Sequence, residues 1–423
     1  MDYSRRIIDD RLDALFPGLP AISLEGAKGV GKTATGSQRA TTIYSLDDST
    51  QRQTVSADVN VIAHAAPPVF IDEWQLVPSV WNRVRRAVDA EGHRAQYLLA
   101  GSASPPTEAR LHSGAGRIAK FTMRPLVFSE RGVSNETVSL SRLLRGEQEQ
   151  IGGDSALGLP EYIDEILRSG FPGLRSNSPE VREALLDSYL DRIVDRELPD
   201  NGITIRRPLA LRAWLAAYGA ATATDASYST ILNAATPGDT DKPSRSAVDG
   251  YREHLHRIFV LDPVPAWIAS FSPLRRLAKT PKHHLVDPAL AARLAGVSEP
   301  MLLSGRTTAR APLADTWLGA LFESLVTQSV RVYAEAAGAK IGHLRSIDTT
   351  REIDLIVEAR DSSVVAIEIK LARDVQDRDV RHLNWLRDEL GERVVERVLI
   401  TTGPHAYRRP DGVAVIPLSL LGP

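Results

Sequence analysis

The sequence predicts an α/β chain in three parts: an N-terminal parallel sheet built around a phosphate-binding loop, a helical middle, and a second α/β unit at the C-terminal end. Three observations carry this. Short apolar runs alternate with helical or loop segments in the N-terminal part, the octapeptide GAKGVGKT follows the first of them, and from Thr316 onward the pattern reads helix, strand, strand, helix, strand. A length of 423 residues exceeds what one ordinary core organises, and the parts are placed at 1–135, 155–305 and 306–423. With 43% hydrophobic and 25% charged residues the composition is that of a folded protein, which excludes a largely disordered or collagen-like chain. The absence of cysteine removes disulfides, thiolate metal sites and cysteine nucleophiles, and fits a reducing cytoplasm. A net charge of −2 is not that of a polycation, so any nucleic-acid contact rests on a local patch. No membrane partner is expected: the most apolar long stretch, Leu209–Ala223, carries Arg212 and is too short to span. The N-terminal segment has scattered charges where a signal peptide has an apolar core, so a cytoplasmic location is expected.

Taken in order, Ile7, Ile8, Leu12, Leu15 and Phe16 recur at helical spacing and predict a short amphipathic helix. Ala21–Leu24, Thr42–Leu46, Val69–Ile71 and Tyr97–Ala100 are apolar runs of strand length, as expected for a parallel sheet covered on both faces. After the first run, Gly26–Thr33 spells G-x-x-x-x-G-K-T in full, the phosphate-binding P-loop. Gly26, Gly29 and Gly31 let the backbone curl so that N–H groups, those of Ala27, Lys28 and Val30 included, face phosphate oxygens. Lys32 offers a cation to the β- and γ-phosphates, and Thr33 a hydroxyl ligand to Mg²⁺. The implied cofactors are ATP and Mg²⁺. The third run ends in Asp72 and Glu73, the first placed to hold Mg²⁺ and the second to act as general base toward water. The fourth run leads to Ser102, a hydroxyl able to sense the γ-phosphate. Arg117 and Arg124 are candidate phosphate-contacting arginines, from the same chain or a neighbouring copy, and a homo-oligomer is one expected partner state.

These motifs resemble the ATPase domain of a large prokaryotic family of AAA-type P-loop ATPases that carry a C-terminal domain of unknown function. The resemblance runs from residue 1 to about 131 through the Tyr3-Ser4-Arg5-Arg6 start, GAKGVGKT, FIDEWQLVP with Gln75 and Pro78, LLAGSAS, AGR and PLVFSE. It departs at the sensor strand, which ends Ala-Gly-Ser-Ala around Ser102, and at Lys28, where an arginine is common. The fold implied is an N-terminal P-loop NTPase parallel sheet.

The middle reads as helices, with SGFPGLR and SYLDRIVDREL resembling the opening of the family's C-terminal region. Three short helices and the run IFVLDPVPAW have the layout of a winged helix, interrupted by the polar loop Ala235–Arg245. The stretch Ser272–Asp287 holds Arg275, Arg276, Lys279, Lys282, His283 and His284. It reads either as a phosphate-backbone contact or as a solvated charged turn. Its adjacent histidines would face opposite ways in a strand, and His254 and His256 lack partners at ligand spacing. Lysine is scarce, eight of 51 basic residues, so each lysine invites inspection.

In the C-terminal part, REIDLIVEARDSSVVAIEIK predicts two strands joined by a turn, with Asp354 on the first and Glu368 and Lys370 on one face of the second. Glu323 lies in the apolar helix TWLGALFESLV. Two converging carboxylates and a lysine can hold a divalent ion and an attacking water, so Asp354 and Glu368 are the expected metal ligands. The order Glu323, Asp354, Glu368-Ile369-Lys370 resembles the PD-(D/E)XK nuclease core, which the same ATPase family carries, and implies a nuclease-like α/β domain. Arg345 is a further candidate phosphate contact. The reading is ATP binding and slow hydrolysis, coupled to a nuclease-like domain with DNA or other nucleic acid as a possible partner. An ATP-gated metal-dependent nuclease and a nucleotide-switched binding or assembly protein are the two alternatives.

Overall fold

The structure is a computed structural model and describes residues 3–91, 96–102, 114–147, 150–200, 203–205, 207–236, 245–268, 280–304, 314–346 and 350–423. The N-terminal sheet consists of β1 (Ala21–Glu25), β2 (Thr42–Ser45), β3 (Val69–Asp72), β4 (Tyr97–Gly101) and β5 (Ile118–Thr122). Its order is β2-β3-β4-β1-β5, parallel throughout. Both faces are covered, as apolar parallel strands require. Leu12 and Phe16 pack with Ile22, Leu24, Phe70 and Leu98 on one side. Val80, Trp81 and Val84 of the helix Ser79–Glu91 pack with Val69, Ile71 and Leu99 on the other. The first four strands lie on the predicted runs. The fifth, IAKFT, buries Ile118 and Phe121 but breaks its apolar run at Lys120, and it was not among the predicted runs. It is an edge strand whose exposed Lys120 pairs with Glu25 at 2.9 Å.

Polar residues 132–154 separate the first two parts in the sequence, but the structure makes them part of the core. β6 (Val138–Ser139) and the helix Leu140–Leu144 bury Val138, Leu140, Leu143 and Leu144. The middle follows with helices Leu159–Arg168 and Pro179–Arg192, a π-helical turn Ile193–Glu197, and helices Pro208–Ala220, Tyr228–Ala235 and Arg245–Arg257. Two antiparallel bridges then join Leu261 to Leu285 and Val264 to Lys282.

The second sheet contains β7 (Lys340–Arg345), β8 (Glu352–Glu358), β9 (Val364–Ile369), β10 (Val394–Thr401), β11 (Tyr407–Arg408) and β12 (Ala414–Pro417), in the order β11-β12-β10-β9-β8-β7. The strands β7, β8 and β9 are antiparallel neighbours, whereas β9, β10 and β12 run parallel, so the sheet is mixed. The helix Asp377–Leu390 makes the crossover from β9 to β10 and packs on one face through Val380, Leu383 and Leu386. The helix Ala314–Ala336 packs on the other through Leu318, Leu321, Phe322 and Leu325. The chain ends in β13 (Leu421–Gly422), which pairs with β6. The largest core runs from Ala27 and Val30 of the P-loop through Tyr162 and Trp214 to Leu355 and Ile367, joining all three sequence parts.

Candidate functional site

The loop between β1 and the helix Lys32–Ser37 depends on its glycines for two separate reasons. A Cβ on Gly26 would stand 2.1 Å from the carbonyl oxygen of Met123, so the chain passes there only without a side chain. Gly31 enters the helix at φ 102°, a left-handed conformation that glycine adopts without strain. Inside the loop, Lys32 is buried and its Nζ donates to the carbonyl oxygens of Gly26 at 2.8 Å and Ala27 at 2.9 Å. Burial lowers its pKa to about 8, against the opposing pull of Glu73 and Asp72.

The sheet brings the acidic residues to this lysine because β3 and β1 both end beside the loop, with β4 between them. Thr33 Oγ1 donates to Asp72 Oδ2 at 2.6 Å. These two oxygens fit the Mg²⁺ expected with a nucleotide, since a hydroxyl and a carboxylate at a P-loop are the hard-oxygen donors that ion takes. Glu73 sits at a positive φ of 51°, which turns the chain sharply after β3. Gln75 Nε2 donates to its carboxylate, as does Ser102 Oγ at 3.3 Å. Burial raises the pKa of Glu73, with Lys32 opposing. Ser102 therefore joins the acidic group, and Gln75, which the sequence marked only by resemblance, links the two.

The middle part closes over the loop. Lys28 Nζ pairs with Glu197 at 2.8 Å, and the Tyr189 hydroxyl donates to the Lys28 carbonyl at 3.3 Å. Arg6 is buried and donates to the carbonyl oxygens of Val30 and Arg124, while pairing with Glu130 at 3.0 Å. Glu197 and Arg6 each lie in a stretch quoted for its family resemblance, SYLDRIVDREL and the Tyr3-Ser4-Arg5-Arg6 start, without a role of their own.

Of the three candidate phosphate-contacting arginines, Arg124 and Arg345 are held by carboxylates away from the loop. Arg124 does not face the loop. It bonds Asp262 at 2.6 Å and Glu335 at 2.8 Å, a buried cation joining the ATPase part to the other two. Arg117 pairs with Asp89 on the surface and donates to the Ala115 carbonyl. Arg345, a candidate phosphate contact, pairs instead with Asp225.

The C-terminal candidates lie around β8 and β9, where Leu355 pairs with Ile367 in antiparallel register, so that Asp354 and Glu368 are next in line. Glu368 Oε1 accepts from Lys370 Nζ at 2.7 Å, and Glu368 Oε2 is buried with no hydrogen-bond partner. Asp354 Oδ2 accepts from the Ile369 N–H at 2.9 Å. A second cation among these carboxylates is Lys282, whose Nζ lies 2.8 Å from Glu323, 2.9 Å from Asp354 and 3.1 Å from Glu352. The solvated turn expected around Lys282 is thus buried: Lys282, His283 and His284 expose 1%, 0% and 2% of their surface. Its histidines do face different ways, His283 toward the Ala226 carbonyl and His284 toward Ser324 Oγ. Arg275, Arg276 and Lys279 lie outside the described residues. Asp354 and Glu368, the expected metal ligands, stand on neighbouring strands, with both Asp354 oxygens hydrogen-bonded, Oδ1 to Lys282 and Oδ2 to the Ile369 N–H. Burial, reinforced by Asp354, raises Glu323 and Glu368 to about 8.

A parallel sheet with a Gly-Lys-Thr loop after its first strand and an acidic pair after the third defines a P-loop ATPase-type domain. Comparison with known proteins agrees: residues 19–132 match the family described as an AAA domain. Residues 159–301 and 318–421 match two domains of unknown function, DUF8612 and DUF4143. The chain is similar to the uncharacterised protein Rv2008c of Mycobacterium tuberculosis and to Mb2031c of Mycobacterium bovis. Each is 24% identical over 333 residues, which are 77% of this chain and 66% of those proteins, so the match spans slightly less than two thirds of their length. Among solved structures, the Walker-type ATPase PABY2304 of Pyrococcus abyssi overlays with a TM-score of 0.40 at 16% identity, covering 69% of this chain and 96% of that one. The replication initiator DnaA bound to AMPPCP and single-stranded DNA overlays with 0.23 at 13% identity, covering 60% and 89%. No helix among the described residues is long and apolar enough to cross a membrane.

Proposed function

We propose that the chain binds ATP with Mg²⁺ at Gly26–Thr33 and hydrolyses it slowly, with nucleotide state felt by the middle and C-terminal parts. The observation that carries this is the joining of Thr33 to Asp72 at 2.6 Å, with Glu73 beside it. The polyphosphate draws Lys32 off the loop carbonyls, because a charge-assisted contact outweighs a neutral one. Thr33 and Asp72 hold the Mg²⁺, which supplies charge neutralisation when bound. Glu73 takes the proton of the attacking water, and Ser102 and Gln75 orient its carboxylate.

The C-terminal unit is read as a PD-(D/E)XK nuclease-like fold used for binding, with nucleic acid as the proposed partner. The order of the Glu323 helix, the Asp354 strand and the Glu368-Ile369-Lys370 strand supports the fold. The helices Pro208–Ala220, Tyr228–Ala235 and Arg245–Arg257, followed by an antiparallel bridge pair, support a winged-helix reading of the middle. The test of the ATPase is Glu73→Gln. The variant is expected to bind ATP as the parent does and to lose hydrolysis by roughly 10²-fold or more, as removal of a general base requires. Hydrolysis at the parent rate would remove Glu73 from that role.

A further inference from the structure

We propose that Lys282 is a built-in cation that stands where a divalent ion would sit among the C-terminal carboxylates, so that this cluster closes as an ionic clamp between the middle and C-terminal parts and takes no metal. This goes beyond the ATPase reading and does not depend on it. An ammonium has three N–H donors. Those of Lys282 meet three carboxylates, Glu323 Oε1 at 2.8 Å, Asp354 Oδ1 at 2.9 Å and Glu352 Oε1 at 3.1 Å. The lysine is held from its backbone as well. Its N–H donates to the Val264 carbonyl and its carbonyl accepts from the Val264 N–H, both at 2.9 Å.

Mg²⁺ bonds oxygen at about 2.0–2.1 Å. An ion bound to both Glu323 Oε1 and Asp354 Oδ1 would displace the Lys282 ammonium or lie against it, and two like charges in a buried site repel strongly. Glu368 Oε2 is buried without a partner, but it lies on the carboxylate that Lys370 already pairs, so an ion there would again stand beside an ammonium. The clamp also has a reach toward the ATPase. Five residues after Lys282, Asp287 accepts from the Gly170 N–H at 2.7 Å, and the Gly170 carbonyl accepts from the Leu126 N–H at 2.6 Å, two residues beyond Arg124. The chemical consequence is that the cluster lacks the ion that would activate water at a phosphodiester, and that its work is to hold the C-terminal unit on the middle part.

The test uses the full chain without nucleotide and Mn²⁺ as the probe, with bound Mn²⁺ counted by electron paramagnetic resonance. Parent and Asp354→Asn proteins are expected to bind the same amount. Lys282→Met, similar in size and uncharged, is expected to gain a Mn²⁺ site and to melt several degrees higher with Mn²⁺ than without it. Both gains should vanish in Lys282→Met/Asp354→Asn. A Mn²⁺ site in the parent that Asp354→Asn or Glu368→Gln abolishes overturns the proposal. So does a folded Lys282→Met protein that binds no more Mn²⁺ than the parent. Where Lys282→Met does not fold, the parent and Asp354→Asn pair decides alone. Because nucleotide is absent throughout, failure of the ATPase reading leaves this outcome unchanged.

Discussion

Lys32 spends its charge on two backbone carbonyls, a poor exchange for a buried ammonium, and its pKa, lowered to about 8, records the cost. A polyphosphate reverses that imbalance. Lys32→Ala removes charge-assisted contacts worth about 1.5–3 kcal/mol each, so ATP should bind at least tenfold more weakly by isothermal titration. Unchanged affinity would show that phosphate does not sit against this lysine. Residues of this kind are legible in a sequence because motif spacing fixes the chemistry before the fold is known. Asp72, Glu73 and Ser102 were legible too, since each ends an apolar run at the same edge of a parallel sheet. Lys282 was not. It lies in a basic stretch whose spelling resembles a solvated turn, and only the fold brings it to carboxylates 41, 70 and 72 residues away along the chain.

At the scale of elements, the apolar strands and long helices were readable from their periodicity, whereas β5 and the segment around β6 were not. Their apolar residues are interleaved with polar ones over short stretches, and they join the core through edge pairing and through contacts with β13. The π-helical turn Ile193–Glu197 is the element with the clearest bearing on the nucleotide. It carries Glu197 to Lys28, and the same carboxylate bears on Lys32. Lys28 is mostly exposed, so the pair adds about 0–1 kcal/mol to stability. Its larger effect is on binding, because a carboxylate beside two phosphate-binding cations competes with phosphate for them. Glu197→Gln should leave the melting temperature nearly unchanged and tighten ATP binding several-fold. Weaker binding would instead make Glu197 a contributor to the nucleotide site.

Across the whole molecule, one continuous core and a chain of buried ion pairs tie the three parts together. Arg6 reaches Arg124, Arg124 reaches Asp262 and Glu335, and Asp262 pairs with Arg331 and donates its N–H to the His284 carbonyl beside Lys282. Two sets of groups around this junction titrate in opposite senses. His283, His284 and His343 are held below their ordinary 6.5 by burial, so the unfolded chain binds protons that the folded chain refuses. Their contribution is present above pH 6.5 and is lost as pH falls below it, at up to about 1.4 kcal/mol per pH unit for each group. Glu323 and Glu368 are raised to about 8, by burial and then by Asp354, against the pull of Lys282 and Lys370. The folded chain holds their protons above pH 4.5, so their contribution is full below that value and is lost as pH rises toward 8. Between 6.5 and 8 Glu323 and Glu368 release their protons while Lys32, lowered to about 8, begins to release its own and opposes them; two glutamates outweigh one lysine, and stability should fall with rising pH. Below 6.5 six lowered histidines, His254, His256 and His382 included, outnumber the four raised carboxyls Asp72, Glu73, Glu323 and Glu368, and stability should fall with falling pH. The expected profile is a maximum near pH 6.5 in urea midpoints measured from pH 5 to 8. A midpoint that keeps rising from 6.5 to 8 would mean that Glu323 and Glu368 are ionised in the folded protein, and that the Lys282 cluster carries more negative charge than its one ammonium balances.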